Sequence, residues 1–269
     1  MKKIRIYIEP NKINLFANNL KTDLTTSFLH QQVKINDNDL GNVFSYLIAV
    51  MRQKIGDKIF IFDGVNGEFL CEIIHIEKKS LTLQIIQKTR DFKLSSNITL
   101  AFCLLKSNRI DEIATKASEM GVKSFQPLIS NHCVVDKFNE NRFFMNVKEA
   151  CEQSERCDLA NILKVKNLSD YLSQLQNSNN LLILADESRN SKKASEVFLS
   201  ETFLKFKEDY RNQNQEIIVF IGPEGGFSKS EFLQFYNLKN LISINLGERI
   251  LRADTATIAS LTLVQEFFS

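Results

Sequence analysis

Along the first ninety positions the apolar residues recur at every second place. Ile4–Ile8 alternates in this way, and so does Leu81–Ile86. Between them, Lys58–Phe62 runs into Asp63-Gly64 and Asn66-Gly67, which turn the chain into Phe69–Ile76, and Lys79-Ser80 leads on to Leu81. A period of two buries one face of a strand, and Asp-Gly and Asn-Gly accept the backbone of tight hairpin turns. The pattern predicts a small antiparallel barrel with one helical stretch, Val43 to Met51. Lys88 to Asn97 is polar and without period, which sets the boundary between a domain at 1–90 and one at 95–269.

Beyond the boundary the rhythm changes. Ile98–Leu105 is a continuous apolar run, the pattern of a strand covered on both faces. Asn108 is expected to cap a helix, with Asp111 three residues on. Ile110, Ile113, Ala114 and Ala117 form its buried stripe and Gly121 its left-handed stop. Phe125–Ile129 is again strand-like, and Phe144, Val147, Cys151 and Ser154 mark a second amphipathic helix. Leu181–Ala185, Glu216–Ile221 and Leu241–Leu246 are expected strands; Val197–Tyr210 and Thr255–Phe268 are expected helices. The last helix is apolar on nearly all sides, so it must be covered by the core or by a second subunit. Strands alternating with helices imply a mostly parallel α/β sheet.

Composition narrows the class. The chain has 269 residues, 43% hydrophobic and 25% charged, the balance of a soluble globular protein. No apolar run approaches the roughly 18 residues of a membrane span, and no apolar stretch follows the charged start at Met1-Lys2-Lys3, so no signal peptide is expected. Five cysteines without a CxxC pair and three histidines argue against a disulfide framework or a zinc site and favour the cytoplasm. The net charge of +2 conceals an asymmetry: residues 1–90 carry 13 basic and 9 acidic side chains, the remainder 21 and 23. A basic excess of four in the first third is compatible with a polyanionic partner.

Candidate chemistry gathers near the C-terminus. Glycine is scarce, nine in all, yet four stand at 222, 225, 226 and 247. The strand Glu216–Ile221 enters Gly222-Pro223-Glu224-Gly225-Gly226, after which Ser228 and Glu231 form a capping box that opens a helix. Ligands of α/β sheets bind in such loops at the carboxyl ends of strands. Ser228 precedes Lys229 where a Walker loop requires Gly, and no GxGxxG is present. A second strand end follows, Leu246-Gly247-Glu248-Arg249-Ile250-Leu251-Arg252-Ala253-Asp254-Thr255. Its two arginines lie at the ligand end of the sheet, and Asp254 or Thr255 stands at a helix start.

Together, IGPEGGFSKSE (221–231) and LGERILRADTAT (246–257) resemble the RsmE family, the 16S rRNA (uracil-N3)-methyltransferases of the SPOUT superfamily. Softer matches run through the rest of the chain: Val50-Met51-Arg52 with Lys54-Ile55-Gly56-Asp57 and Phe62-Asp63-Gly64, then Lys116-Ala117-Ser118-Glu119-Met120-Gly121-Val122 with Pro127, then Glu152-Gln153-Ser154 with Arg156. Asp254 stands where the family pattern has Glu, Tyr46 where it usually has His, and the Pro usually found shortly after Arg156 is missing. The resemblance implies an N-terminal PUA-like RNA-binding β-barrel and a C-terminal SPOUT domain with a trefoil knot. It also implies S-adenosylmethionine as cofactor, 16S rRNA of the small ribosomal subunit as substrate, a homodimer, no metal and no membrane.

By the same resemblance, the backbone of Leu184, Ala185 and Asp186, of Ile221, Gly222, Pro223, Glu224, Gly225 and Gly226, and of Leu246, Gly247, Arg249, Ile250 and Leu251 would wrap the cofactor. Arg252 would face the negative charge that develops on the uracil, or a phosphate. Glu224 and Asp254 are the candidate carboxylates, Asp254 alternatively a helix cap. Arg52, Lys54, Lys58 and Arg156 are candidate RNA contacts, the two lysines alternatively ordinary turn charges. Methylation of another RNA position and non-catalytic RNA binding are the competing readings. A barrel alone would serve the second, but it would not need two glycine and arginine loops at successive strand ends.

Overall fold

The computed structural model describes residues 3–12, 29–39, 42–186, 192–198, 200, 201, 203, 204, 207 and 215–268. The chain divides into two compact units, Met1–Ser95 with Cys151–Leu159, and Ser96–Ala150 with Ala160–Ser269.

The first unit is one curled sheet built from β1 (Arg5–Tyr7), β2 (Gln32–Asn36), β3 (Lys58–Phe62), β4 (Glu68–Ile76) and β5 (Ser80–Arg90), in the order β1-β3-β4-β5-β2. The hairpins β3–β4 and β4–β5 are antiparallel, as the turn residues between them require. Strand β1 departs from the antiparallel expectation: it pairs parallel with β3, Ile6 opposite Ile61. The long connection between the two, unlike a hairpin turn, leaves their direction free. β2 was not legible because it offers only Val33 and Ile35 to the core and lies at the sheet edge. β5 runs on through the polar Gln87–Arg90, which pairs with the start of β4, so the strand extends past the expected boundary at Lys88. The core holds Ile6, Val33, Ile35, Leu47, Ile59, Ile61, Phe69, Cys71, Ile73, Leu81, Leu83 and Ile85. The helical stretch is one α-turn, Val43–Ser45, and one π-helical turn, Tyr46–Val50, which buries Leu47. Arg52 follows with φ 54, a left-handed conformation that costs a non-glycine residue of order 1 kcal/mol or more.

The second unit is a parallel sheet with helices. Its strands are β6 (Ile98–Cys103), β7 (Ser124–Ile129), β8 (Asn161–Ile162), β9 (Lys166–Asn167), β10 (Leu181–Ala185), β11 (Lys192–Lys193), β12 (Ile217–Ile221) and β13 (Leu241–Asn245). They lie in the order β11-β13-β10-β12-β6-β7-β8, with β9 also on β7, and every pairing is parallel. β6 and β12 are buried along their whole length, which is why they read as unbroken apolar runs. The chain is therefore mixed α/β.

The helix Ser107–Glu119 starts at Ser107 after the N-cap Lys106, two residues before the expected cap Asn108. Asp111 is not used at the helix end; its carboxylate accepts from Arg142 and Asn146 of the helix Glu140–Gln153. The stripe Ile110, Ile113, Ala114, Ala117 is buried as expected, and Gly121 stands at φ 79. In the helix Glu140–Gln153 the buried ring is Phe143 rather than Phe144; it stacks on Phe102 at 5.5 Å and meets Phe125 edge-on at 5.0 Å. The helix Leu168–Leu175 was not foreseen, although Leu168, Tyr171, Leu172 and Leu175 carry its period. Of the expected helix at 197–210, the structure has Ala194–Phe198 and helical conformation again at 201, 203, 204 and 207; residues 199, 202, 205, 206 and 208–210 lie outside the described residues. The last helix, Ala253–Phe268, buries Thr257, Ser260, Leu261 and Val264 and leaves Ile258 38% exposed. No helix among the described residues is long and apolar enough to cross a membrane.

Candidate active site

The carboxyl ends of β10, β12 and β13 open onto one cavity of about 430 Å³. Three segments line it: Ala185 and Asp186 after β10, Ile221 to Glu224 with Gly226 and Phe227 after β12, and Leu246 to Ala253 after β13. Adjacent parallel strands bring these loops together, since β10 pairs with both β12 and β13. The two glycine and arginine loops read from the sequence thus meet at one place.

Local chemistry fixes each wall. After β12, Pro223 and Gly226 close a turn in which the Gly226 N–H donates to the Pro223 carbonyl at 2.9 Å, and Gly226 holds φ 67. The helix Lys229–Tyr236 then starts on the expected capping box. The Ser228 hydroxyl accepts from the Glu231 N–H at 3.3 Å, and the Glu231 carboxylate accepts from the Ser228 N–H at 2.7 Å. The turn after β7 braces the same loop. Asn131 donates its N–H to Glu231 at 2.8 Å and its side-chain amide to Ser228 at 2.9 Å. The His132 ring nitrogen Nδ1 lies 3.1 and 3.0 Å from the Gly225 and Gly226 carbonyls. At the β13 end, Gly247 stands at φ 120 with nothing within 4 Å of the position a Cβ would take, so the backbone borders open space there.

Polar groups of both signs line the cavity. Asp186 is buried and accepts from the Tyr236 hydroxyl at 3.2 Å. Glu224, Glu248, Arg249 and Arg252 are exposed. Leu184 is fully buried behind the lining, and Gly225 and Asp254 are not part of it. Asp254 lies in the first turn of the helix Ala253–Phe268, where its carboxylate meets Arg109 at 3.4 Å. Arg109, Phe227, Phe232 and Ala256 are lining residues that the sequence did not single out. Arg109 belongs to a helix start 145 positions away from Asp254, and no local pattern joins them.

Beside this loop Cys133 lies against Cys103. The Cys103 thiol donates to the Cys133 sulfur and lowers the Cys133 thiol to about 6, with Ser130 adding two more bonds against the opposing effect of burial. Burial pushes the Cys103 thiol well up. All five cysteines are free, and no cluster of metal-ligating side chains occurs among the described residues.

In the first unit, Arg52, Lys54 and Lys58 are exposed within a single short stretch ahead of and into β3. Arg156 is elsewhere in character: it is 6% exposed and its guanidinium makes two bonds to Asp158, at 3.0 and 2.7 Å. Arg156 holds the Asp158 carboxyl below its usual range despite the opposing effect of burial, with Ser95 assisting.

Residues 93–265 match the RNA methyltransferase domain family, and residues 41–86 match the RNA methyltransferase PUA domain. Ribosomal RNA small subunit methyltransferase E of Rickettsia conorii is 32% identical over 82% of this chain and 85% of its own length. The protein of that name from Buchnera aphidicola subsp. Acyrthosiphon pisum is 28% identical over 83% and 85%. The crystal structure of ribosomal RNA small subunit methyltransferase E from Neisseria gonorrhoeae bound to S-adenosyl methionine is 26% identical. It superposes with a TM-score of 0.76, covering 99% of this chain and 98% of that one.

Proposed function

The chain belongs to the ribosomal RNA small subunit methyltransferase E family, and we propose that it is an S-adenosylmethionine-dependent enzyme that methylates N3 of one uridine in the 16S RNA of the small ribosomal subunit. The observation that carries this reading is the single cavity where the loops after β10, β12 and β13 converge.

The cavity suits the cofactor. Its volume falls within the roughly 300–1,000 Å³ of small-molecule sites. Main chain and apolar side chains supply much of its wall, and Gly247 leaves room where a side chain would stand. The backbone of Ala185, Asp186, Ile221 to Gly226 and Leu246 to Leu251 would hold the adenosine and methionine parts. Bound there, S-adenosylmethionine supplies an electrophilic methyl group. Asp186, Glu224 and Glu248 put negative charge on a wall that must accept a cationic ligand. Phe227 and Phe232 exclude water from one side.

The other reactant, N3 of uracil, carries a proton that must leave before or as the new bond forms. Glu224 lines the cavity and is the candidate acceptor; Asp254 is not among the lining residues and pairs with Arg109. Arg252 faces the uracil or its phosphate. The target base has to be presented unstacked, as enzymes acting on a base require. The first unit, with Arg52, Lys54 and Lys58 exposed, would hold the flanking phosphates. Arg156, committed to Asp158, acts instead as a fold residue in this reading.

The trefoil knot belongs to the same proposal: β13 pairs with β10 after β12 has entered between β10 and β6. So does the homodimer, which would cover Ile250, 82% exposed, and Ile258. The cytoplasm, where ribosomal RNA is found, is the proposed compartment.

Nucleoside mass spectrometry of 16S RNA from a deletion strain, with and without the restored gene, tests the reading. Loss of 3-methyluridine that the gene restores is expected, together with calorimetric binding of S-adenosylmethionine and twice the chain mass in sedimentation equilibrium. A different lost nucleoside would reassign the position, and a protein that ignores the cofactor at millimolar concentration would end the proposal.

A further inference from the structure

Arg252, the group expected to face the negative charge that develops on the uracil, is poorly placed to hold a buried anion. Arg252 lines the cavity but is exposed, and Asp254 is not among the lining residues. Arg109 lines the cavity, is only 25% exposed, and meets Asp254, with its Nη1 lying 3.4 and 3.5 Å from the two carboxylate oxygens. We propose that Arg109, oriented by Asp254, binds the uracil oxygens and stabilises the anion formed at N3, leaving Arg252 to a phosphate of the RNA. The inference rests on the uridine N3 reading above and adds a residue to it.

Chemistry and geometry both support the assignment. A cation beside the base favours the deprotonated form over the neutral one, so its effect grows as the reaction proceeds, which is the condition for catalysis rather than mere binding. The proton leaves N3 for a base, N3 forms the bond to the methyl carbon, and the bond to the sulfonium breaks with its electron pair on sulfur. A half-buried guanidinium does this better than an exposed one, because solvent and salt screen the latter. The Arg109 side-chain bonds to Asp254 use Nη1 alone among the described residues. Nε and Nη2 therefore keep the planar fork that matches adjacent acceptors on a base.

The pair is also held in position. Arg109 lies in the first turn of the helix Ser107–Glu119, and Asp254 in the first turn of Ala253–Phe268. The same two helices are joined further along, where the Gln265 amide donates to the Met120 carbonyl. Two links along one helix pair leave little freedom to the guanidinium between them. Asp254 here is a positioning residue: it is not among the lining residues, and proton acceptance falls to Glu224 or water.

Single-turnover methylation of a 16S-derived RNA, followed from about pH 6 to 9, tests this when combined with cofactor calorimetry. Arg109→Ala should slow the step by about 10²–10³-fold, the usual loss of one anion-stabilising donor, with cofactor affinity retained. Its rate should level off at higher pH than in the wild type, because the base is then less acidic in the complex. Arg109→Lys should recover part of the rate and guards against a folding defect. Asp254→Asn should fall between wild type and Arg109→Ala, and should add nothing in the double variant. Arg252→Ala should raise KM for RNA more than it lowers kcat. An Arg109→Ala enzyme with the wild-type rate and pH profile would overturn the inference alone, as would a loss of cofactor affinity equal to the loss of rate. A wild type that produces no 3-methyluridine would remove the parent reading and this one together.

Discussion

Glu68 shows how much a single buried charge is made to hold in the first unit. Its side chain is 1% exposed and receives Arg5 Nε at 2.6 Å, Arg90 Nη2 at 2.5 Å, Lys3 Nζ at 3.4 Å and the Thr89 hydroxyl at 2.9 Å. Burial by itself would raise its pKa, but the bonds from Arg90, Arg5 and Thr89 outweigh it and lower the carboxyl from 4.5 to about 2. A folded value below the unfolded one means stability that is complete above about pH 4.5 and is lost as the pH falls toward 2, on the order of 3 kcal/mol in all. Arg5 in turn donates to the carbonyls of Cys151 and Arg156, so the carboxylate anchors the segment 151–159 through one guanidinium. Glu68→Gln should cost about 3–5 kcal/mol at neutral pH, because Arg5 is left buried without its counter-charge. In urea melts the gap between wild type and variant should be flat above pH 5 and shrink below 4.5. A gap independent of pH would show that Glu68 is not ionised in the folded state. None of this was legible in the sequence. The partners stand at 3, 5, 89 and 90, and no pattern singles out Glu68 among its neighbours. Arg156 shows the same limit: its motif suggested a nucleic-acid contact, and the sequence alone gave no sign that the fold sets its guanidinium on Asp158, two residues on.

At the scale of elements, what could be read locally was read. The glycine loop after β12 and its capping box depend on residues within ten positions, and both formed as expected. The periodic stripe of Ser107–Glu119 and the unbroken strands β6, β10 and β12 followed from burial alone. What was missed depends on pairing between distant segments: the parallel partner of β1, the edge strand β2, and the brace that Asn131 and His132 give the glycine loop. The Arg109 and Asp254 pair belongs to the same class. The glycine loop also makes a sharp prediction. A Cβ on Gly222 would lie 3.0 Å from the Phe227 ring, and Phe227 lines the cavity. Gly222→Ala must push that ring, so cofactor affinity should fall by about tenfold, a cost of ~1.4 kcal/mol, while the melting temperature changes little. Adding Phe227→Leu should return part of the affinity by making room. Calorimetry on the single and double variants decides it: equal affinity in Gly222→Ala and wild type would mean the ring has somewhere else to go.

Over the whole molecule the cations fall into two groups, and the division bears on how RNA is held. Arg5, Arg90 and Arg156 in the first unit are tied to carboxylates and hold the fold rather than a polyanion. Arg52, Lys54 and Lys58 are exposed and lie within seven consecutive positions after a π-helical turn, Arg52 itself in left-handed conformation. Turns of that kind are more often kept for a task than for stability. Exposed, uncommitted cations contribute little to folding but release counterions on meeting a phosphate chain. Each phosphate they neutralise adds about 0.7 to the slope of log affinity against log salt for single-stranded RNA. Lys54→Ala and Lys58→Ala should therefore each lower that slope by about 0.7 and together by about 1.4, with cofactor affinity and thermal stability unchanged. A filter-binding series over a range of salt concentrations measures the slope directly. A parallel loss of affinity at every salt concentration would point to a direct contact with a base instead, and no change in either would move the RNA to another face of the protein.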